Sequence, residues 1–471
     1  MNILIICFFI IYIFFTNGTH NSKNEKALLY NESFTLKSLN DHINWKEDSC
    51  NDFHEFVCGT FLKNNHDEDN DIFFTPDTYY NKSDFERDIN DKKIKIKSKA
   101  LDKIKKIKSY FENYNNISLE DKINLERLFQ YPIHSLFLSY IAKTNNYING
   151  LKLINEIFDD LKNEMALLIN EKEWLDKKIK KRFLKKLSLI QLDMKKNDAV
   201  ANRNYLEYCI DALNFNYSDS FDQTLYNMRY YFYDLSKRLN LYGITCNEII
   251  MVLVSNYQLK PNAAYILNKN TFEFTYPLLM YPYFDNQFPT SLNYGMIASL
   301  IGHEILHAFD KEGRTFDRYG NQMKSLSTNH SEEEFNKRER CFIDQYNNQI
   351  FYGTNMKVNG TQTLVENICD NGGIKLAYRT YLKYSKKQNI DNEKINGNKT
   401  ISSTQLFFVS VAKQYCMKRE YLSKMRAQAF HFHAGFKNRI TTMLSNYNEF
   451  SKAFNCPVGT PMNPIKKCEL W

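Results

Sequence analysis

At 471 residues the chain is long enough for one large or two ordinary domains with a full apolar core. Its net charge of +8 is modest for that length, and the lysines gather in two segments without interleaved aromatics, which argues against a nucleic-acid partner. Of the 10 cysteines, Cys7 lies in an N-terminal apolar run; in an oxidising compartment most of the others pair, and their odd count leaves at least one free.

Residues 3–15 are an unbroken apolar run followed by Asn17-Gly18-Thr19. A membrane span needs about 20 residues, so residues 1–19 are expected to be a signal peptide of a secreted protein. The alternative is an uncleaved anchor, which gives a single-pass type II membrane protein with the rest of the chain extracellular. N-x-S/T sequons at Asn17, Asn31, Asn81, Asn116, Asn216, Asn329, Asn359 and Asn398 agree with export and glycosylation. Residues 20–44 are polar and Asn-rich and are expected to be mobile. A compact cysteine-bearing segment covers 45–61, and the acidic stretch 64–91 is expected to be a loop.

Helical patterns dominate from 92 to about 193 and return at 220–239. Ile94, Leu101, Ile104 and Ile107 recur at helical spacing, as do Leu175, Ile179, Phe183 and Leu187, each under a solvated basic face. Between 246 and 288 the character changes. Residues 249–254 and 264–267 are strand-like, with Asn-Lys-Asn turn material nearby. Further helices run to about 445, and no internal repeat is visible.

The chemistry concentrates in two blocks. His303-Glu304-Ile305-Leu306-His307 is H-E-x-x-H, and on a helix residues four apart share a face, so both imidazoles can reach one ion. The apolar run 294–301 leads into it, and a core helix carrying such polar groups needs a ligand. Zinc with two imidazoles takes a third protein ligand and keeps a position for water. Residues 363–378 read as a helix on which Glu366 and Asp370 share a face. One carboxylate can bind metal while the other accepts from a ligating ring and fixes its tautomer. Glu304 is placed to act as general base. Near the C-terminus, either histidine of His431-Phe432-His433, with Arg439, is a candidate oxyanion donor.

These residues resemble the neprilysin and endothelin-converting-enzyme group of zinc endopeptidases. Asn262-Ala263-Ala264-Tyr265 is similar to the family's substrate-binding Asn-Ala-x-Tyr strand, and Leu292-Asn293-Tyr294-Gly295 leads into 302–310 as in its zinc helix. Residues 366–373 resemble its E-N-x-A-D-N-G-G block. Met462-Asn463-Pro464 with Lys467-Cys468-Glu469-Leu470-Trp471 resembles its C-terminal signature, and Cys50-Asn51-Asp52-Phe53 with Cys58-Gly59 its N-terminal cysteine element. The resemblance implies one Zn2+ per chain on His303, His307 and Glu366, with Glu304 as base and Asp370 behind a zinc histidine. It implies that Asn262 and Ala263 bind the substrate backbone by strand addition, that His433 stabilises the oxyanion, and that Arg439 holds a substrate carbonyl or shapes a subsite. It further implies disulfides Cys50–Cys456, Cys58–Cys416 and Cys341–Cys468, and leaves Cys209, Cys246 and Cys369 without partners.

The fold class implied is mostly α, α+β: a thermolysin-like (gluzincin) catalytic domain at 246–471 whose small sheet flanks the zinc helix, and a reduced helical lobe with the cysteine segment at 45–245. Periodicity alone supports only a helix-rich α+β chain. The sequence departs from the family at His431 and Ala434-Gly435, where Asp and Ser-Pro are usual, and at Cys369, where Ala is usual. Between Cys58 and Trp174 it is much shorter, through a reduced lobe or an incomplete sequence. The expected function is a secreted zinc-dependent endopeptidase acting on peptides. A zinc-binding relative of little activity, acting as a binding or decoy protein, is the alternative. The membrane enters only if the N-terminal run is an anchor, and the oligomeric state is not legible.

Overall fold

A computed structural model describes residues 32–64, 82–112, 117–216, 218–239, 243–254, 261–324, 328–351, 354–389, 394–396, 400–416 and 432–471. The N-terminal half is helical: α1 (Glu32–Asn40), α2 (Phe53–Asn64), α3 (Lys82–Asn90), α4 (Lys99–Phe111), α5 (Leu119–Ile141), α6 (Asn145–Glu171) and α7 (Lys177–Ser188). The short strand β1 (Gln191–Leu192) precedes α8 (Lys195–Val200), α9 (Arg203–Asp211), α10 (Phe221–Leu235) and α11 (Cys246–Val254). Then come β2 (Ala263–Ile266), β3 (Thr271–Phe274), α12 (Thr290–Leu306), α13 (Asn329–Asn347) and α14 (Leu364–Gln388). A small hairpin of β4 (Lys394–Asn396) and β5 (Thr400–Ser402) leads to α15 (Ser403–Lys413), α16 (Phe436–Asn446) and α17 (Asn448–Ala453). Among the described residues no helix is long and apolar enough to cross a membrane. The presumed signal at 1–19 lies outside them.

Helix α12 is the axis of the C-terminal half. It is apolar on every side, with Tyr294, Ile297, Ala298, Ile301, Ile305 and Leu306 all buried, as expected of a helix covered all round. Helices α14 and α15 pack against it along most of its length. The crossing with α14 is close enough to require glycine on both sides. A Cβ on Gly302 would meet the Gly373 carbonyl oxygen at 2.9 Å, and one on Gly373 would meet the His303 amide nitrogen at 2.7 Å. Gly373→Ala is therefore expected to force the two helices apart at a cost of about 1–3 kcal/mol. Denaturant titration reads the loss of stability.

The sheet has the order β1-β3-β2, with β1 parallel and β2 antiparallel to β3. Among the described residues, strand β2 is thus an edge. Its pairing Ala264↔Glu273 and Ile266↔Thr271, with Thr275 N donating to Asn262 O (2.9 Å), directs the even-numbered backbone groups toward β3. By alternation, the N–H and C=O of Ala263 and Tyr265 face the open side.

Two segments fold otherwise than the sequence reading expects. Residues 249–254 lie in helix α11, not in a strand; a short continuous apolar run cannot separate the two. The deciding signal is a capping box: Glu248 Oε2 accepts from Thr245 N (2.7 Å) while Thr245 Oγ1 accepts from Glu248 N (3.1 Å). Within the supposedly mobile 20–44, residues 32–40 form α1, which buries Thr35, Ser38 and Leu39. Smaller differences are that α3 forms inside the expected 64–91 loop, that Ile94 precedes α4, and that Leu175 precedes α7.

Disulfide Cys50–Cys456 ties the turn before α2, and Cys58–Cys416 ties α2 itself, to the C-terminal half, and Cys341–Cys468 ties α13 to the last residues. Cys209 and Cys246, unassigned from the sequence, form a fourth bridge between α9 and α11. Around α2, Phe53 packs edge-on against Phe450 (4.7 Å) and Phe454 (4.9 Å). His54 is buried there with Nε2 3.4 Å from the Tyr415 carbonyl. Burial, and then the nearby Lys437 charge, lower its pKa to about 4, against the opposing pull of Asp52 and that carbonyl. The folded state therefore binds fewer protons than the unfolded chain between the two pKa values. Its contribution is complete above the unfolded value of 6.5 and is lost as pH falls through 4. The change amounts to roughly 3 kcal/mol, and urea midpoints between pH 7 and 4 should flatten in His54→Gln.

Candidate metal centre and active cleft

Helix α12 ends at Leu306, and His307 is its C-cap, still in right-handed geometry (φ −58°, ψ −22°). The i, i+4 relation therefore survives the helix end, and the rings of His303 and His307 stand edge to face at 4.8 Å. Glu366, in the first turn of α14, reaches across the Gly302–Gly373 crossing to both. Its Oε2 is 3.1 Å from His303 Nε2, and its Oε1 is 3.8 Å from His307 Nε2. The two Nε2 atoms are 3.1 Å apart.

The outer nitrogens decide what those inner ones are. His303 Nδ1 lies 2.9 Å from Asp370 Oδ1, and His307 Nδ1 lies 2.7 Å from Asp310 Oδ2. A neutral imidazole that donates from Nδ1 to a carboxylate carries its lone pair on Nε2. Two such lone pairs and a carboxylate oxygen then converge on one small space. Tetrahedral zinc, with bonds of 2.0–2.2 Å to N and O, separates its ligand atoms by about 3.3–3.5 Å. The donor set and spacing fit that ion.

The charges around the site favour a positive charge among them, met by a second proton on His303 or by a metal ion in its place. Burial opposes charge on His303, yet the hydrogen bonds and charges of Asp370 and Glu366 outweigh it and push its pKa up to about 10. Burial likewise opposes charge on Glu366 and Asp370, but His303 and His433 hold the first, and Arg439 and His303 the second, well below the usual carboxylate range. Buried carboxylates around two imidazoles thus form a field that attracts positive charge. A second group of metal-capable side chains, His307, Asp310 and Cys369, lies behind the His307 ring. There Asp310 is already engaged as a hydrogen-bond partner, and burial raises the Cys369 thiol well above its usual range. That arrangement supports the histidine from the rear and does not make a second ion site.

The remaining candidates line one cleft of about 460 Å³, which includes Asn262, Ala263, Glu304, His433 and Arg439. Glu304 Oε2 accepts from the main-chain N–H of Tyr265 at 2.8 Å. Ala263 presents its open edge along the cleft, while Asn262 has its backbone tied to Thr275. His433 stands with Nε2 2.9 Å from Glu366 Oε2. Arg439 lines the cleft, and its Nε and Nη2 donate to Asp370 Oδ2 and Oδ1, each at 2.7 Å. His431 lies outside the described residues.

Three members of the site escaped the sequence reading. Asp310 orients His307 and is itself held by the amides of Glu312 (2.8 Å) and Gly313 (2.7 Å). Its i, i+3 spacing from His307 was the available signal. Cys369 Sγ sits 3.3 Å from His307 Nδ1 and 3.6 Å from Asp310 Oδ2. The Tyr265 amide is main chain and leaves no mark in a motif.

Comparison with known proteins agrees with this geometry. The model for peptidase family M13 matches residues 262–470. Neprilysin-1 of Caenorhabditis elegans is 31% identical over 343 residues, covering 69% of this chain and 44% of that protein. Endothelin-converting enzyme 1 of Rattus norvegicus is 41% identical over 210 residues, covering 45% of this chain and 27% of that protein. The zinc metalloprotease Zmp1 of Mycobacterium tuberculosis, in its open state, superposes with a TM-score of 0.54 at 19% identity, over 77% of this chain and 54% of that one. This last likeness speaks to the fold. The chain spans less than half the length of the curated relatives it matches.

Proposed function

We propose that the chain, whose residues 262–470 belong to peptidase family M13, is a zinc-dependent endopeptidase acting on peptides or small proteins. The observation that carries the reading is the convergence of His303 Nε2, His307 Nε2 and Glu366 within 3.1–3.8 Å, with both Nδ1 atoms bound to carboxylates. These three side chains would hold the ion. Zinc, when bound, supplies a Lewis acid for the scissile carbonyl and lowers the pKa of a water to about 7.

The protein's own groups do the rest. The open edge of β2 at Ala263 takes the substrate backbone as an added strand, with Asn262 beside it. Glu304 accepts a proton as water adds to the carbonyl carbon. It returns that proton to the departing nitrogen as the C–N bond breaks, leaving one product a carboxylate and the other an amine. His433, at the cleft wall, is the donor placed to meet the developing oxyanion once it leaves Glu366. Asp370 and Asp310 hold the two zinc histidines in their ligating tautomers.

Extracellular placement is part of the proposal. Disulfides Cys50–Cys456, Cys58–Cys416, Cys209–Cys246 and Cys341–Cys468 suit an oxidising compartment, and the sequons at Asn216, Asn329 and Asn359 are exposed. A second reading, a zinc-binding relative of little activity, is favoured by the engagement of His433 with Glu366. Hydrolysis of a quenched fluorogenic peptide separates the two. The peptidase reading expects turnover that a chelator abolishes and added zinc restores. Zinc at about one per chain with no chelator-sensitive hydrolysis would leave the second reading standing.

A further inference from the structure

We propose that the main-chain N–H of Tyr265 positions Glu304, so that the strand edge receiving the substrate and the group moving the proton form one rigid unit. The inference rests on the peptidase reading. Tyr265 N is 2.8 Å from Glu304 Oε2, and the bond is buried. It is available because β2 is an edge strand and the odd-numbered amides point away from β3. The same alternation sends the Ala263 N–H and C=O into the cleft, two residues along the strand from Tyr265. One carboxylate oxygen of Glu304 is thereby tied down, while the carboxylate stays within 4.8 Å of the His303 and His307 nitrogens.

The amide is itself held. Tyr265 OH donates to Asn270 Oδ1 at 2.6 Å, in a hairpin turn where Asn270 takes the left-handed conformation (φ 54°) and is buried. Asparagine tolerates that conformation better than most residues. Asn270 Nδ2 then donates to the carbonyls of Lys186 (3.3 Å) and Arg318 (3.1 Å). The buried Lys186 ammonium donates to the carbonyls of Gly313 (2.6 Å) and Phe316 (3.0 Å). Gly313 in turn donates its amide to Asp310, the carboxylate behind His307. A continuous set of hydrogen bonds therefore runs from the base, through the strand, to the loop that orients a metal ligand. Glu304 cannot swing without breaking its bond to an element fixed at both ends.

Because the Tyr265 N–H does not serve the β2–β3 ladder, proline there removes the bond to Glu304 and leaves the ladder intact. Tyr265→Ala removes the side chain, with its Asn270 bond, its Lys186 contact and its core packing, and keeps the amide, so the difference between the two variants reports the amide. Misplacing a reacting group by about 1 Å costs on the order of 10²-fold in rate. Tyr265→Pro is accordingly expected to show kcat about 10–100-fold below Tyr265→Ala, with KM within about threefold and zinc stoichiometry equal. Equal kcat in the two variants overturns the proposal.

Should the proline variant fail to fold, amide hydrogen exchange on the zinc-bound protein decides. The Tyr265 amide is expected to be protected despite its place on an open edge, and to exchange at least about tenfold faster in Glu304→Ala, while Ala264 and Ile266 do not change. Equal exchange in wild type and variant also overturns it. Exchange reads the bond without reference to turnover, so an inactive wild type with a protected Tyr265 amide would count against the peptidase reading and not against the contact.

Discussion

Glu304→Gln is expected to lower kcat/KM by about 10³-fold while zinc stays bound at one per chain, a loss of roughly 4 kcal/mol in transition-state stabilisation. The substitution is isosteric, and a glutamine carbonyl oxygen can still accept from the Tyr265 amide that holds Glu304 now. The ligands proposed are His303, His307 and Glu366, whose atoms lie 3.1–3.8 Å apart, while Glu304, also within 4.8 Å of both histidines, is bound to the Tyr265 amide. What disappears is the capacity to take a proton from water and hand it to the leaving nitrogen. The effect should therefore fall on kcat, with KM little changed. Steady-state kinetics on a fluorogenic peptide, with zinc counted by atomic absorption, tests both halves. A loss smaller than tenfold would remove Glu304 from the role of base, and loss of zinc would move it into the metal site.

How much of this could be read from the sequence follows from the range of each interaction. The His303–His307 pair and the Glu366–Asp370 pair are local, four residues apart on helices, and spacing alone puts each pair on one face. That the two pairs meet depends on the Gly302–Gly373 crossing, a tertiary contact 71 positions apart in the chain and invisible to periodicity. The resemblance to a known family supplied that link, as it supplied three disulfides. It did not supply Cys209–Cys246, although the structure places those cysteines 5.7 Å apart by Cα.

The misreading of 249–254 has a different cause. The run Ile-Ile-Met-Val-Leu-Val has no amphipathic period, so the residues before it decide, and the Thr245…Glu248 capping pair marks a helix start. Residues 32–40 are polar in composition, which alone argues for mobility. Yet the structure packs Leu39 into the core and sets the Ser38 hydroxyl to accept from buried Lys413 at 2.9 Å. Composition does not reveal a helix whose partners come from the other end of the chain.

Arg439 carries the prediction that most separates this structure from the expectation drawn from resemblance. If the guanidinium held a substrate carbonyl, Arg439→Ala would raise KM and leave the unliganded protein unaffected. Here it is buried and donates twice to Asp370, which is buried as well and accepts from His303. Removing one partner of a buried ion pair strands the other charge, at a cost of about 3–5 kcal/mol. Asp370 would answer by taking a proton or turning away, and His303 would lose the acceptor that fixes its tautomer. Arg439→Ala is therefore expected to lower the denaturation midpoint markedly and to weaken zinc binding by about 10–100-fold. Arg439→Lys should recover only part of either, since an ammonium is a point charge and cannot make the paired contact. Chelator competition and urea denaturation, both without substrate, measure the two effects. A variant with wild-type zinc affinity and stability but raised KM would return Arg439 to the substrate. The same pair of measurements on Asp370→Asn separates orientation from charge, because asparagine keeps an acceptor for His303 while leaving Arg439 without its counter-ion.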